Sequence, residues 1–134
     1  MDKKGVTLIE LIVIILIVGI LATIAVTGYG RFVEHSRGQE AAANLELIYS
    51  AQKRFFLDNN TYLAAPTLAQ INASLGLELT GTFFTYSTLG DARNFTATAT
   101  RIGPQGICAG FTMTISDRNS EVQKAAAQGG CDAW

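Results

Sequence analysis

The sequence predicts an α+β fold, a long N-terminal helix packed on a three- to four-stranded antiparallel sheet. Three observations predict it. Residues 11–30 carry no charge and are mostly apolar. A helical amphipathic pattern follows directly. Threonine-rich segments of alternating polarity then fill the C-terminal half. At 134 residues the chain holds one domain of ordinary size. With 49% hydrophobic and 16% charged residues it lies outside the disordered range. A net charge of −1 argues against a general nucleic-acid binder. One histidine and two well-separated cysteines leave little for a zinc site or a Cys/His nucleophile. There is no P-loop and no Ser/His/Asp constellation, so an enzyme is not expected, and neither is a metal or a cofactor.

The apolar run comes first. Twenty residues of helix span about 30 Å, the thickness of a bilayer core. Leu, Ile and Val fill every position from Leu11 to Val18, so no polar face exists there. Such a helix is buried in lipid or in other protein. Lys3 and Lys4 precede it and favour an N-inside, C-outside orientation, which Arg31 on the far flank weakens. A secretory signal peptide and a plain single-span anchor are the simplest readings. No clean small-residue cleavage site follows Val26, however. Glu10 stands against both, at the head of the run. A carboxylate unpaired in hydrocarbon costs on the order of 2–3 kcal/mol, which marks it as functional.

From Arg31 to about Leu57, Ala41, Leu45, Ile48, Tyr49, Gln52, Phe55 and Phe56 recur at three- and four-residue spacing. The helix therefore continues across a core, until Asp58-Asn59-Asn60 stops it. Tyr62–Pro66 reads as an extended loop. Thr67 caps a short helix, Leu68–Leu75, that Gly76 ends. Three half-buried strands follow. Phe84 and Tyr86 share a face in the first, Phe95, Ala97 and Ala99 in the second, and Phe111, Met113 and Ile115 in the third. Leu89-Gly90-Asp91 and Gly103-Pro104-Gln105-Gly106 mark the turns between them.

Lys3-Lys4-Gly5 followed by Val6-Thr7-Leu8-Ile9-Glu10 resembles the leader and methylation motif of type IV pilins and the related type II secretion pseudopilins. The motif covers the first quarter of the chain and is specific in its order. The resemblance implies a type IV pilin-like fold, cleavage of the leader 1–5 after Gly5 by a prepilin peptidase, and N-methylation of Val6. It implies a transmembrane and filament-core helix over 6–30 and a globular head over 31–134. Val6 departs from the family's usual Phe or Met. Thr27 stands where many type IV pilins carry a kinking proline. Glycine weakens a helix by about 1 kcal/mol relative to alanine. Gly19, Thr27 and Gly28 therefore mark a stretch expected to be soft.

Cleavage would create a charged amine at Val6. In a filament core that amine and the Glu10 carboxylate are costly unless paired. A neighbouring copy displaced along the axis could supply the partner, setting the subunit's register. The implied partners are other copies of the chain in a helical filament, the peptidase, inner-membrane assembly machinery, and the bilayer before assembly. The implied location is the inner membrane first, then an extracellular pilus. Loss of the leader shifts the net charge from −1 to −2 in 129 residues.

Cys108 and Cys131 are separated by 22 residues, far from redox or zinc spacing. Outside the cytoplasm a disulfide is expected. The resemblance implies a C-terminal loop 108–131 closed in that way, worth roughly 3 kcal/mol in the chain-entropy model. Two free buried thiols are the alternative. Asp117, Glu121 and Asp132 match no cation loop. His35 reads as a solvated side chain, and the Asn59, Asn72 and Asn94 tripeptides as chance glycosylation matches.

The implied function is a structural subunit of a type IV pilus, with adhesion, twitching motility or DNA uptake as its service. A pseudopilin forming a periplasmic fibre for export is the alternative, and the cysteine pair leans away from it. A DNA-binding minor pilin, a receptor rather than a building block, is a hypothesis from another class, and a membrane-anchored binding domain without a polymer is a third. Beyond Arg54 the cations Arg93, Arg101, Arg118 and Lys124 face six carboxylates, Asp58, Glu78, Asp91, Asp117, Glu121 and Asp132. That balance argues against nucleic acid as a partner of this subunit alone.

Overall fold

The computed structural model describes residues 6–103 and 108–125, with the backbone alone for residues 24–28. The elements are α1 (Leu8–Asn59), α2 (Leu68–Leu75), β1 (Phe84–Gly90), β2 (Phe95–Arg101), β3 (Thr112–Ser116) and β4 (Asn119–Lys124). The chain divides into two compact units, Met1–Glu34 and His35–Trp134.

In the first unit α1 runs without a break through Gly19 and Gly28. Every large apolar side chain from Val6 to Leu21 is 49% to 78% exposed. Among the described residues no helix is long and apolar enough to cross a membrane.

In the second unit the rest of α1 buries the predicted stripe. Ala41, Leu45 and Ile48 are fully buried, with Ala51 beside them. α2 follows the sequence closely. The Thr67 side chain accepts a hydrogen bond from the Gln70 amide, and Gly76 closes the helix at φ 66°. That left-handed conformation is one that glycine adopts without steric cost. The four strands form an antiparallel meander in the order β1-β2-β3-β4. Phe84 and Tyr86 of β1, Phe95, Ala97 and Ala99 of β2, and Met113 and Ile115 of β3 join the α1 residues in one core. Tyr62, Phe95 and Tyr49 link helix, loop and sheet, with ring centroids 4.9 Å apart for Tyr62–Phe95 and 5.7 Å for Tyr49–Phe95.

Three details differ from expectation. Phe111 is buried but lies one residue before β3. Leu89 and Gly90 belong to β1, with Gly90 opposite Phe95. The turn lies one step later, because the Asp91 carboxylate accepts from the Arg93 and Asn94 amides at 2.7 and 2.8 Å. β4 carries no apolar alternation. Only Val122 is half-buried there, and the strand exists through its backbone pairing with β3. The predicted turn at Gly103–Gly106 falls mostly outside the described residues.

Buried polar groups fasten the loop after α1. Gln52, fully buried, donates to the Leu63 carbonyl at 2.8 Å and accepts from the Leu63 amide at 2.9 Å. The Thr88 hydroxyl donates to the same carbonyl at 3.0 Å. Ala65 and Thr88 then form a short antiparallel bridge.

Candidate functional site: the N-terminal segment

Thr7 and Glu10 form a reciprocal cap on α1. The Glu10 amide donates to the Thr7 hydroxyl at 3.4 Å, and the Thr7 amide donates to Glu10 Oε2 at 3.4 Å. The Thr7 hydroxyl also reaches Glu10 Oε2 at 3.5 Å. This is a capping box, in which two otherwise orphaned amides are satisfied by the first turn's own side chains. The Thr-x-x-Glu spacing is its signature in the sequence. The distances exceed the usual 2.7–3.2 Å range, so the carboxylate is held loosely. Glu10 is exposed and can exchange these partners for a stronger one.

Val6 is exposed beside this cap, one residue before Thr7. Gly5 lies outside the described residues. Gly19 and Gly30 face open space, with nothing within 4 Å of an added Cβ. The side chain of Thr27 lies outside the described residues. The segment thus combines a wide apolar surface with one loosely held carboxylate. An apolar surface of this extent marks an interaction site.

Lys53 donates to the Tyr62 hydroxyl at 3.2 Å and lies over the Tyr49, Tyr62 and Phe95 rings. Partial burial pulls its pKa down, but the Tyr62 hydrogen bond and nearby Tyr62, Tyr49 and Asp117 outweigh that and raise it. The Asp117 carboxylate accepts from the Phe95 amide at 3.0 Å, so its role is structural. Among the described residues no group of three potential ligands could hold a metal ion. Asp132 lies outside them. Asn72 bonds both ends of Leu79, at 2.9 and 3.1 Å, a structural use of its amide. Arg118 donates to Asn94 at 3.0 Å across the two turns at one end of the sheet. Cys108 is buried and disulfide-bonded, at φ 74°. Cys131 lies outside the described residues.

An exposed apolar helix headed by a carboxylate, joined in sequence to a helix-on-sheet head, defines the type IV pilin class. Comparison with known proteins agrees. Residues 1–26 match the prokaryotic N-terminal methylation motif. Residues 27–112 match the family described as type IV minor pilin ComP, DNA uptake sequence receptor, and the chain belongs to that family. It is also 44% identical over 60 residues to the type IV major pilin protein PilA of Myxococcus xanthus. That stretch is 45% of this chain and 27% of the relative, so the chain spans about a quarter of the relative's length.

Proposed function

We propose that this type IV pilus subunit is cut after Gly5, N-methylated on Val6 and polymerised through its N-terminal helix. The observation that carries the reading is the exposed apolar surface from Val6 to Leu21, headed by Glu10. Before assembly the helix spans the inner membrane with its head outside. The uncharged sequence 11–30 and the unbroken helical backbone through 24–28 support that placement. In the filament the Val6 amine of a neighbouring copy replaces the weak Thr7 contacts at Glu10 and sets register. Gly19, Thr27 and Gly28 soften the helix where it must adjust. Cys108 pairs with Cys131 and closes the C-terminal loop. The pilin matches favour a pilus over a secretion pseudopilus.

The test is Glu10→Ala in cells, followed by shearing and sedimentation. Processed subunit in the membrane with no sedimentable filament is the expected result. Normal filament yield would overturn the proposal.

A second reading, capture of DNA, is favoured by the family match over residues 27–112. The head's few cations oppose it. A gel shift on the full chain at several salt concentrations separates the two. Phosphate contacts would make binding fall steeply with salt.

A further inference from the structure

A polar pocket of about 400 Å³ lies between the end of α1 and the C-terminus of α2. It is an open depression on the surface, with Arg54, Asp58, Asn59 and Ser74 all exposed to solvent. Arg54, Phe55, Asp58 and Asn59 line it from α1, and Ser74 and Leu75 from α2. Arg54 and Asp58 are one helical turn apart and share a face. Arg54 donates one N–H to the Leu75 carbonyl at 3.0 Å, which leaves its other donors for a ligand. Asn59 donates to the Phe55 carbonyl at 3.0 Å, which leaves its side-chain oxygen. Among the described residues Asp58 and Ser74 make no side-chain hydrogen bond or ion pair.

The chemistry of these groups selects a ligand. A guanidinium only donates and a carboxylate only accepts. Hydroxyl groups do both, so adjacent hydroxyls on one molecule satisfy Arg54 and Asp58 together. An anion would meet the Asp58 charge, and a cation the Arg54 charge. Phe55, half-buried against the core, also lines the pocket and adds apolar surface beside them. A pyranose ring has an apolar C–H face edged by hydroxyls. We infer that this pocket binds a neutral pyranose, with vicinal hydroxyls on Arg54 and Asp58 and a ring face on Phe55. The inference does not depend on how the N-terminal segment assembles.

The test uses the full chain in micelles of a detergent without a sugar headgroup. Saturation-transfer NMR is recorded with methyl β-D-glucopyranoside and methyl β-D-galactopyranoside, and with N-acetylneuraminic acid and glucosamine as charged controls. At least one neutral glycoside is expected to receive saturation, strongest on its C–H face. Asp58→Asn should weaken it by about tenfold or more while leaving the melting temperature unchanged, since among the described residues its side chain makes no hydrogen bond or ion pair. Ser74→Ala should weaken it less. No transfer to either neutral glycoside at millimolar concentration would overturn the inference. So would equal binding by Asp58→Asn, or a preference for either charged control.

Discussion

Gln52→Leu tests how the head holds its irregular connection. Gln52 is fully buried and closes two hydrogen bonds on one residue, Leu63, at 2.8 and 2.9 Å. Leucine is similar in size and gains apolar burial. It also leaves the Leu63 amide with no Gln52 oxygen to donate to. The Leu63 carbonyl keeps the Thr88 hydroxyl, so one group is orphaned rather than two. An orphaned buried amide costs about 1–3 kcal/mol, and a lost hydrogen bond about 1 kcal/mol net. The apolar gain of the leucine offsets part of that sum, which gives about 2–3 kcal/mol of destabilisation. For a head of this size each kcal/mol lowers Tm by roughly 4–8 °C, so the expected fall is about 10–20 °C. The assay is a thermal melt of the full chain in micelles, followed by near-ultraviolet circular dichroism. That signal sums over the aromatic side chains, among them the Phe56–Tyr62 stack, 4.5 Å between centroids, immediately before Leu63. A Tm within about 3 °C of the unmodified chain would refute the reasoning.

The remaining predictions address the same head. At Gly90 an added Cβ would meet the backbone carbonyl oxygen of Leu63 at 2.6 Å, and backbone cannot swing aside as a flexible side chain can. Gly90→Ala should therefore cost about 1–3 kcal/mol in urea denaturation, and an unchanged midpoint would sink the idea. Asp91 has its pKa lowered, first by the Arg93 amide and then by the Asn94 amide. Its contribution is present above the unfolded carboxylate value near 3.9 and is lost as pH falls through the lower folded value. The Tm gap between the unmodified chain and Asp91→Asn should narrow below pH of about 4, and a constant gap would contradict this. Burial raises the Tyr86 pKa, the Asn44 hydrogen bond opposes that, and Glu40 adds to it. Stability should fall as pH rises above about 10, where the unfolded phenol ionises first, and Tyr86→Phe should flatten that fall. Reductant should lower Tm if Cys108 and Cys131 are paired, by an amount matching roughly 3 kcal/mol; an unchanged melt would remove that pairing.

Much of the head was legible because its signals are local. Thr67 and Gly76 bound α2 by cap chemistry that involves only neighbouring residues. The alternation of Phe95, Ala97 and Ala99 identified a half-buried strand, and those residues are buried. β4 was not read individually, because Asn119–Lys124 has no apolar periodicity and depends on β3 for its pairing. The Leu89-Gly90 boundary was misplaced because glycine signals a turn in sequence, whereas here it admits the Leu63 backbone beside a strand. At the N-terminus, Glu10 is identified by cost and motif, and its cap with Thr7 is legible in the Thr-x-x-Glu spacing, while the distances show how loosely that cap is held.

Sequence by itself determined the α+β class, the order of α1, α2 and β1 to β3, and an uncharged helix with one carboxylate at its head. Burial preferences, caps and period are written into short stretches of chain, so they survive without coordinates. The tertiary structure decided which polar groups meet. Gln52 and Thr88 converge on Leu63, and Arg54 and Asp58 line a pocket with Ser74. Such meetings join residues distant in sequence, and their energies depend on tenths of an ångström that no local pattern encodes.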